Sequence, residues 1–181
     1  MTIERRAAAV IICIESVRPH NIIFVERGAH LRNHAGQIGL PGGSAEPVDA
    51  GDLALTALRE LHEEVGIAPE RVAIVGDLPQ LQPRVSAFDV TPFVAVVEPG
   101  PLTIDTRELD GAFVVPLATV LEELYEGHYD VGAFRVQTPL LDVGERRIWG
   151  LTGHILRNFA SAWNDPSNPL RRAVEAKLQA T

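Results

Sequence analysis

The sequence predicts an α/β fold in one domain, and three observations carry that expectation: short β-branched runs near the N-terminus, a glycine-rich segment after them, and an amphipathic helical stretch directly following. At 181 residues with 46% apolar side chains, the chain has enough material for one well-buried core. Residues 7–14 and 21–26 are apolar, β-branched runs separated by Ser16-Val17-Arg18-Pro19-His20, the pattern of two strands and a turn. Residues 36–51 hold five glycines and two prolines, including Leu40-Pro41-Gly42-Gly43, which suits a loop whose backbone comes close to something else.

Residues 52–65 read as a helix, with Asp49 or Asp52 as N-cap and Gly66 at its end. Ala54, Leu58, Leu61 and Val65 share an arc of about 60°, a stripe that faces a core. Glu60, Glu63 and Glu64 share a neighbouring arc of about 100° on a different side. Like charges at these i,i+3 and i,i+4 spacings repel unless a cation screens them. On spacing alone a solvated helix face is the favoured explanation of an arbitrary Glu-x-x-Glu-Glu; a magnesium site, built from oxygen ligands, waters and substrate phosphates, is the alternative that the surrounding residues must support. Farther on, 117–125, 149–163 and 169–179 read as helices, with about 166–181 a C-terminal helical tail on a domain spanning 1–181. Trp149, Phe159 and Trp163 are expected as core or subunit-interface anchors.

A net charge of -8 argues against duplex nucleic acid as a partner, because such binding depends on a positive surface. An acidic protein can act on phosphates when cations stand between its carboxylates and the substrate. No window is apolar enough for a membrane-spanning helix, and residues 1–6 lack a signal-peptide layout, so a cytoplasmic protein without membrane contact is expected. The lone Cys13 lies inside an apolar run and is expected to be a small buried hydrophobe.

Arg59-Glu60-Leu61-His62-Glu63-Glu64-Val65-Gly66-Ile67 resembles the second half of the Nudix box, G-x5-E-x7-R-E-U-x-E-E-x-G-U, where U is aliphatic. The resemblance implies a Nudix-like α/β/α sandwich with a mixed β-sheet between helices, and a hydrolase of phosphoric anhydrides that uses Mg2+ or Mn2+. It implies Glu60, Glu63 and Glu64 as metal ligands, with Arg59 orienting them. The first half of the box departs from the pattern: Gly51 stands where the motif has its first glutamate, and the interval from Gly43 to Arg59 is two residues too long. Asp49 or Asp52 is left to take that place. The family's general base varies in position; Glu108 lies where many members carry a further functional glutamate, and Glu64 is the other candidate.

Upstream, Arg27-x4-Arg32-x3-Gly36-Gln37-Ile38-x2-Pro41-Gly42-Gly43, with Leu31-Arg32-Asn33-His34 inside it, resembles the signature of the coenzyme A pyrophosphatase branch of the family. Val90-Thr91-Pro92-Phe93-Val94 and Ile148-Trp149-Gly150-Leu151-Thr152 extend the resemblance over roughly residues 5–160. Leu40 and the stretch Ile22-Ile23-Phe24-Val25-Glu26 depart from that branch. The expected substrate is therefore coenzyme A or an acyl-coenzyme A, cut to 3',5'-ADP and a 4'-phosphopantetheine fragment. Arg27, Arg32, Gln37, Gly42 and Gly43 are the expected binding residues, the guanidinium groups meeting phosphates in bidentate fashion. His34 is expected to brace the loop. Hydrolysis of ADP-ribose, a dinucleotide or a nucleoside triphosphate is the alternative, and a module that binds nucleotides without cutting them is a third. A homodimer is compatible with the family.

Overall fold

A computed structural model describes residues 5–32, 34–83 and 86–180. The two expected strands and the expected helix over the glutamates form, as the first two strands and the first helix of the order β1 (Arg6–Glu15), β2 (Asn21–Arg27), β3 (Ile38–Gly39), β4 (Gly42–Ser44), α1 (Leu53–Val65), β5 (Val72–Asp77), β6 (Phe88–Val97), β7 (Leu109–Pro116) and α2 (Leu117–Glu122). They are followed by β8 (Tyr125–Val131), β9 (Phe134–Val143), β10 (Arg146–Ile148), α3 (Gly150–Asn164) and α4 (Pro169–Gln179). One sheet runs β3-β2-β1-β6-β5, with β4 pairing β1 and β7 pairing β2; β1 and β6 are parallel from Arg6↔Phe88 to Glu15↔Val97, and the other pairs are antiparallel. It is a mixed sheet, as expected.

β1 is a continuous apolar run because both of its faces are covered. Ile12 and Ile14 point into a core shared with Ile155, Leu156 and Phe159 of α3 and Val174 of α4. Ala9, Ile11 and Cys13 point into a second core with Ala57, Leu61 and Val65 of α1. Alternation along one strand thus feeds two apolar layers, and the result is a helix/sheet/helix sandwich. Cys13 is fully buried and burial pushes its thiol far above the usual range, the behaviour of a small hydrophobe rather than a nucleophile.

α1 starts one residue later than expected, because Asp52 is its N-cap and accepts a hydrogen bond from the Ala54 N–H at 2.8 Å. Gly66, at φ 72°, ends it. The helix expected over 117–125 stops at Glu122, and Tyr125 opens a hairpin that helical periodicity conceals. β8 pairs with β9 from Tyr125↔Leu140 to Val131↔Phe134, turning on Gly132 at φ 59°. With β10 the hairpin makes a second, three-stranded sheet. Arg146 fixes it to the first sheet, donating to Glu26 at 3.2 Å and lying 4.6 Å above the Phe113 ring.

Phe159 is a core residue and Trp163 packs against the same core. Trp149 lies outside both cores and stacks on Tyr129 of the hairpin, ring centroids 4.2 Å apart. Among the described residues no helix is long and apolar enough to cross a membrane.

Candidate active site

The glycine-rich segment is pinned beneath the second half of α1. β4 pairs with β1 through Ala9↔Gly43 and Val10↔Gly42, and the approach is too close for larger residues. A Cβ on Gly42 would lie 2.3 Å from the Ala9 carbonyl oxygen and 2.6 Å from Val10 Cα, both atoms of a buried strand. A Cβ on Gly43 would lie 2.3 Å from Glu60 Oε1, the end of a flexible side chain. Gly42→Ala is therefore expected to lower the melting temperature markedly. Gly43→Ala is expected to fold with a melting temperature close to wild type while displacing Glu60 and losing activity. Melts and assays on both variants check this, and equal losses of stability would contradict it.

Arg59 is the hub of the helix end. Its Nε and Nη2 donate to the two carboxylate oxygens of Asp49 at 3.0 and 3.1 Å, Nη2 also donates to the Ser44 carbonyl at 3.0 Å, and Nη1 donates to Glu60 at 2.9 Å and Glu63 at 3.0 Å. Asp49 is only 3% exposed and further accepts from the Glu46 N–H and the Thr56 hydroxyl. The Arg59 guanidinium holds the Asp49 carboxyl well below the usual carboxylate range, and the two carboxylates hold Arg59 firmly protonated. Of the two aspartates left open by the sequence, Asp49 is the one at Arg59, and Asp52 is spent on the helix cap. The two extra residues of the loop are taken up by a 3-10 turn, Pro47–Asp49, followed by left-handed Ala50 and Gly51. That turn swings an aspartate outside the motif's register onto the arginine.

Glu64 is buried, and its Oε2 accepts the Gly42 N–H at 2.9 Å. Burial pushes its carboxyl up to about 8, aided by the neighbouring negative charges of Glu60 and Glu108 and opposed by the Gly42 N–H and the charge of Arg27. Glu60 is raised too, chiefly by burial, with Glu63 and Glu108 adding repulsion and Arg59 opposing. The environment therefore disfavours negative charge on two adjacent carboxylates, a condition that a bound divalent cation reverses. Glu63 is 55% exposed and joins the group through Arg59.

Arg27 ends β2 on the same side, close enough for its charge to act on Glu64. Its Nε is buried and has no hydrogen-bond partner among the described residues. Arg32 is exposed on the loop that follows, and Asn33 lies outside the described residues. His34, at φ 57°, meets Gln37 Oε1 at 2.8 Å, so both brace the loop, and the Gln37 carbonyl accepts the Arg27 N–H at 3.0 Å. Glu108 is exposed on a turn whose main chain is bonded to the residue after Arg27, through Gly28 N–H to the Glu108 carbonyl at 2.8 Å.

Among the described residues no three His, Cys, Asp or Glu side chains form a ready-made metal cage. The expected convergence of Glu60, Glu63 and Glu64 is thus looser than helical spacing alone implies, because Arg59 draws Glu60 and Glu63 to itself. The donor set nevertheless fits a hard divalent cation: all its ligands are carboxylate oxygens, two of them poorly solvated. Magnesium is commonly held by one or two carboxylates, waters and substrate phosphates rather than by a closed protein cage.

Residues 4–133 match the family model described as the NUDIX domain. The chain is 35% identical over 164 residues to the Nudix hydrolase NudL of Salmonella paratyphi B, covering 88% of this chain and 83% of that protein. Similar folds include a putative nudix hydrolase family member from Chromobacterium violaceum (TM-score 0.61, 15% identity, 99% of this chain and 92% of that one). Others are a C. elegans Ap4A hydrolase binary complex (TM-score 0.56, 16% identity, 86% and 96%) and the NUDIX domain of Shewanella oneidensis NrtR complexed with ADP ribose (TM-score 0.53, 20% identity, 65% and 77%). The extent of the family match and of the identity to NudL, with the box residues gathered on α1 against the glycine loop, place this chain in the Nudix hydrolase family.

Proposed function

We propose that the chain is a Mg2+- or Mn2+-dependent pyrophosphohydrolase of nucleoside diphosphate derivatives, with Glu60, Glu63 and Glu64 holding the metal. The observation that carries this reading is the pair of poorly solvated carboxylates, Glu60 and Glu64, held against the glycine loop by Arg59 and the Gly42 N–H. A divalent cation there supplies Lewis-acid polarisation of a phosphoryl oxygen and lowers the pKa of a coordinated water.

The protein's own part is positioning. Arg59 fixes the direction of Glu60 and Glu63, so the ligands are set before substrate arrives. Gly42 and Gly43 let the loop backbone approach α1 without side chains intervening. Arg27, whose charge acts on Glu64 and whose buried Nε has no hydrogen-bond partner among the described residues, is the proposed phosphate-binding residue, with exposed Arg32 extending that positive charge along the loop. Glu108 is the candidate base that takes a proton from the attacking water, with Glu64 as the second candidate.

ADP-ribose and dinucleotides are the broader reading: of two proteins sharing the fold, the NrtR domain is complexed with ADP ribose and the other is an Ap4A hydrolase. Coenzyme A is the narrower reading, resting on the signature from Arg27 to Gly43 and on the position of Arg27 beside Glu64. The test is a panel of ADP-ribose, diadenosine tetraphosphate and coenzyme A with Mg2+ or Mn2+, following AMP, ATP or 3',5'-ADP by chromatography. Turnover of at least one, abolished by a chelator and restored by metal, is expected. 3',5'-ADP as the dominant product selects coenzyme A, and silence across the panel, with nucleotide still bound, would favour a non-catalytic module.

A further inference from the structure

The turn carrying Glu108 is bonded on two sides, and the two attachments lead to different halves of the candidate site. On one side the Thr103 and Asp105 N–H groups donate to the carbonyls of Val65 and Glu64 at 2.9 and 3.0 Å, tying the segment to the end of the metal-motif helix. On the other side three bonds run to the loop that follows Arg27. Gly28 N–H donates to the Glu108 carbonyl at 2.8 Å, Ala29 N–H donates to the Asp110 carboxylate at 2.8 Å, and His30 Nε2 donates to the Arg107 carbonyl at 3.0 Å. The His30 ring folds back over Gly28 so closely that a Cβ there would lie 2.4 Å from its Cε1 and would displace the ring. Asp105 closes the turn itself, its carbonyl accepting from Glu108 and Leu109 N–H.

These bonds bracket Glu108 at residues 107, 108 and 110, and their partners are the residues directly between Arg27 and Arg32. We propose that His30 and Asp110 are positioning residues that hold Glu108 in register with the phosphate-binding loop, so that substrate bound at Arg27 and Arg32 fixes the candidate base. The inference rests on the proposed hydrolase reading and on Glu108 as base. A side chain on an exposed turn has many accessible positions, and displacement of a reacting group by about 1 Å can cost up to roughly 10²-fold in rate. The latch fixes the main chain that carries Glu108, and so the point from which its side chain reaches, without itself touching substrate.

The test uses the full chain with whichever of ADP-ribose, diadenosine tetraphosphate and coenzyme A the wild type cleaves in the presence of Mg2+. His30→Ala and Asp110→Ala are expected to lower kcat about tenfold with KM little changed. His30→Gln, which keeps a donor for the Arg107 carbonyl, is expected to restore most of it. Placed in a Glu108→Gln background, the two alanine variants are expected to cost nothing further, because the residue they position is already disabled. The same loss in that background, or a rise in KM with kcat intact, would overturn the proposal and leave the hydrolase reading standing. An unchanged kcat in both alanine variants would do the same. A wild type that cleaves none of the three probes counts against the hydrolase reading itself, and this inference falls with it.

Discussion

Glu64→Gln is expected to reduce kcat by roughly 10³-fold while leaving the protein folded. The amide keeps the size of the carboxylate and its carbonyl can still accept the Gly42 N–H, so the local packing survives, but the most buried of the three proposed anionic ligands is lost. A pH effect accompanies it. Glu64 is pushed up to about 8 in the folded protein, so between its ordinary value near 4.5 and about 8 the unfolded chain is ionised there while the folded chain still holds the proton. Folding then binds more protons than the unfolded state, and the metal-free protein loses stability as pH rises through that window. The penalty above pH 8 is on the order of a few kcal/mol, and Glu64→Gln removes it. Metal-free melts at pH 5.5 and 8.5 check this: the wild type is expected to show the larger fall, and saturating Mn2+ to reverse it. Equal falls in wild type and variant would contradict the assignment.

Asp49→Ala is expected to be the most damaging change outside the glutamates. It strips Arg59 of two of its five hydrogen bonds, both to a buried partner, and frees the guanidinium to swing away from Glu60 and Glu63. Loss of a group that orients metal ligands typically costs about 10–100-fold in activity or metal affinity. Asp52→Ala is the comparison: losing the cap costs about 1 kcal/mol of stability and is expected to leave kcat within about twofold. Because Asp49 is held below the usual carboxylate range, its contribution to stability is present above that range and fades as pH falls below it. Kinetics on both variants decide which aspartate stands in for the box glutamate missing at Gly51, and a larger loss in Asp52→Ala would reverse the assignment.

The contrast between these aspartates marks what sequence spacing can express. Helical geometry put Leu61 and Val65 of the expected stripe into a core, because within one helix residue number fixes angle. The buried face is rotated toward Leu53 and Ala57, however, so Ala54 and Leu58 lie outside it and Glu64 is buried beside it. Spacing could not place Glu63, whose direction is set by Arg59 rather than by the helix alone. Nor could it choose between Asp49 and Asp52, since the path of residues 44–52 depends on a 3-10 turn and two left-handed residues. The hairpin of β8 and β9 was hidden for a related reason: Leu121 and Leu124 continue a helical period up to Tyr125, while the pairing with Leu140 that ends the helix is distant in sequence. The His30 and Asp110 contacts to the Glu108 turn are equally long-range, with no pattern within either segment to announce them.

The central claim, that α1 presents a divalent-metal site through Glu60, Glu63 and Glu64, is tested most directly by titrating Mn2+ into the metal-free protein and following free ion by electron paramagnetic resonance. Wild type is expected to bind at least one ion per chain, with affinity lost or sharply weakened in Glu60→Gln and Glu64→Gln and kept in Asp52→Ala. Binding that is absent from the wild type even with a cleavable nucleotide present, or undiminished in both glutamine variants, would contradict it.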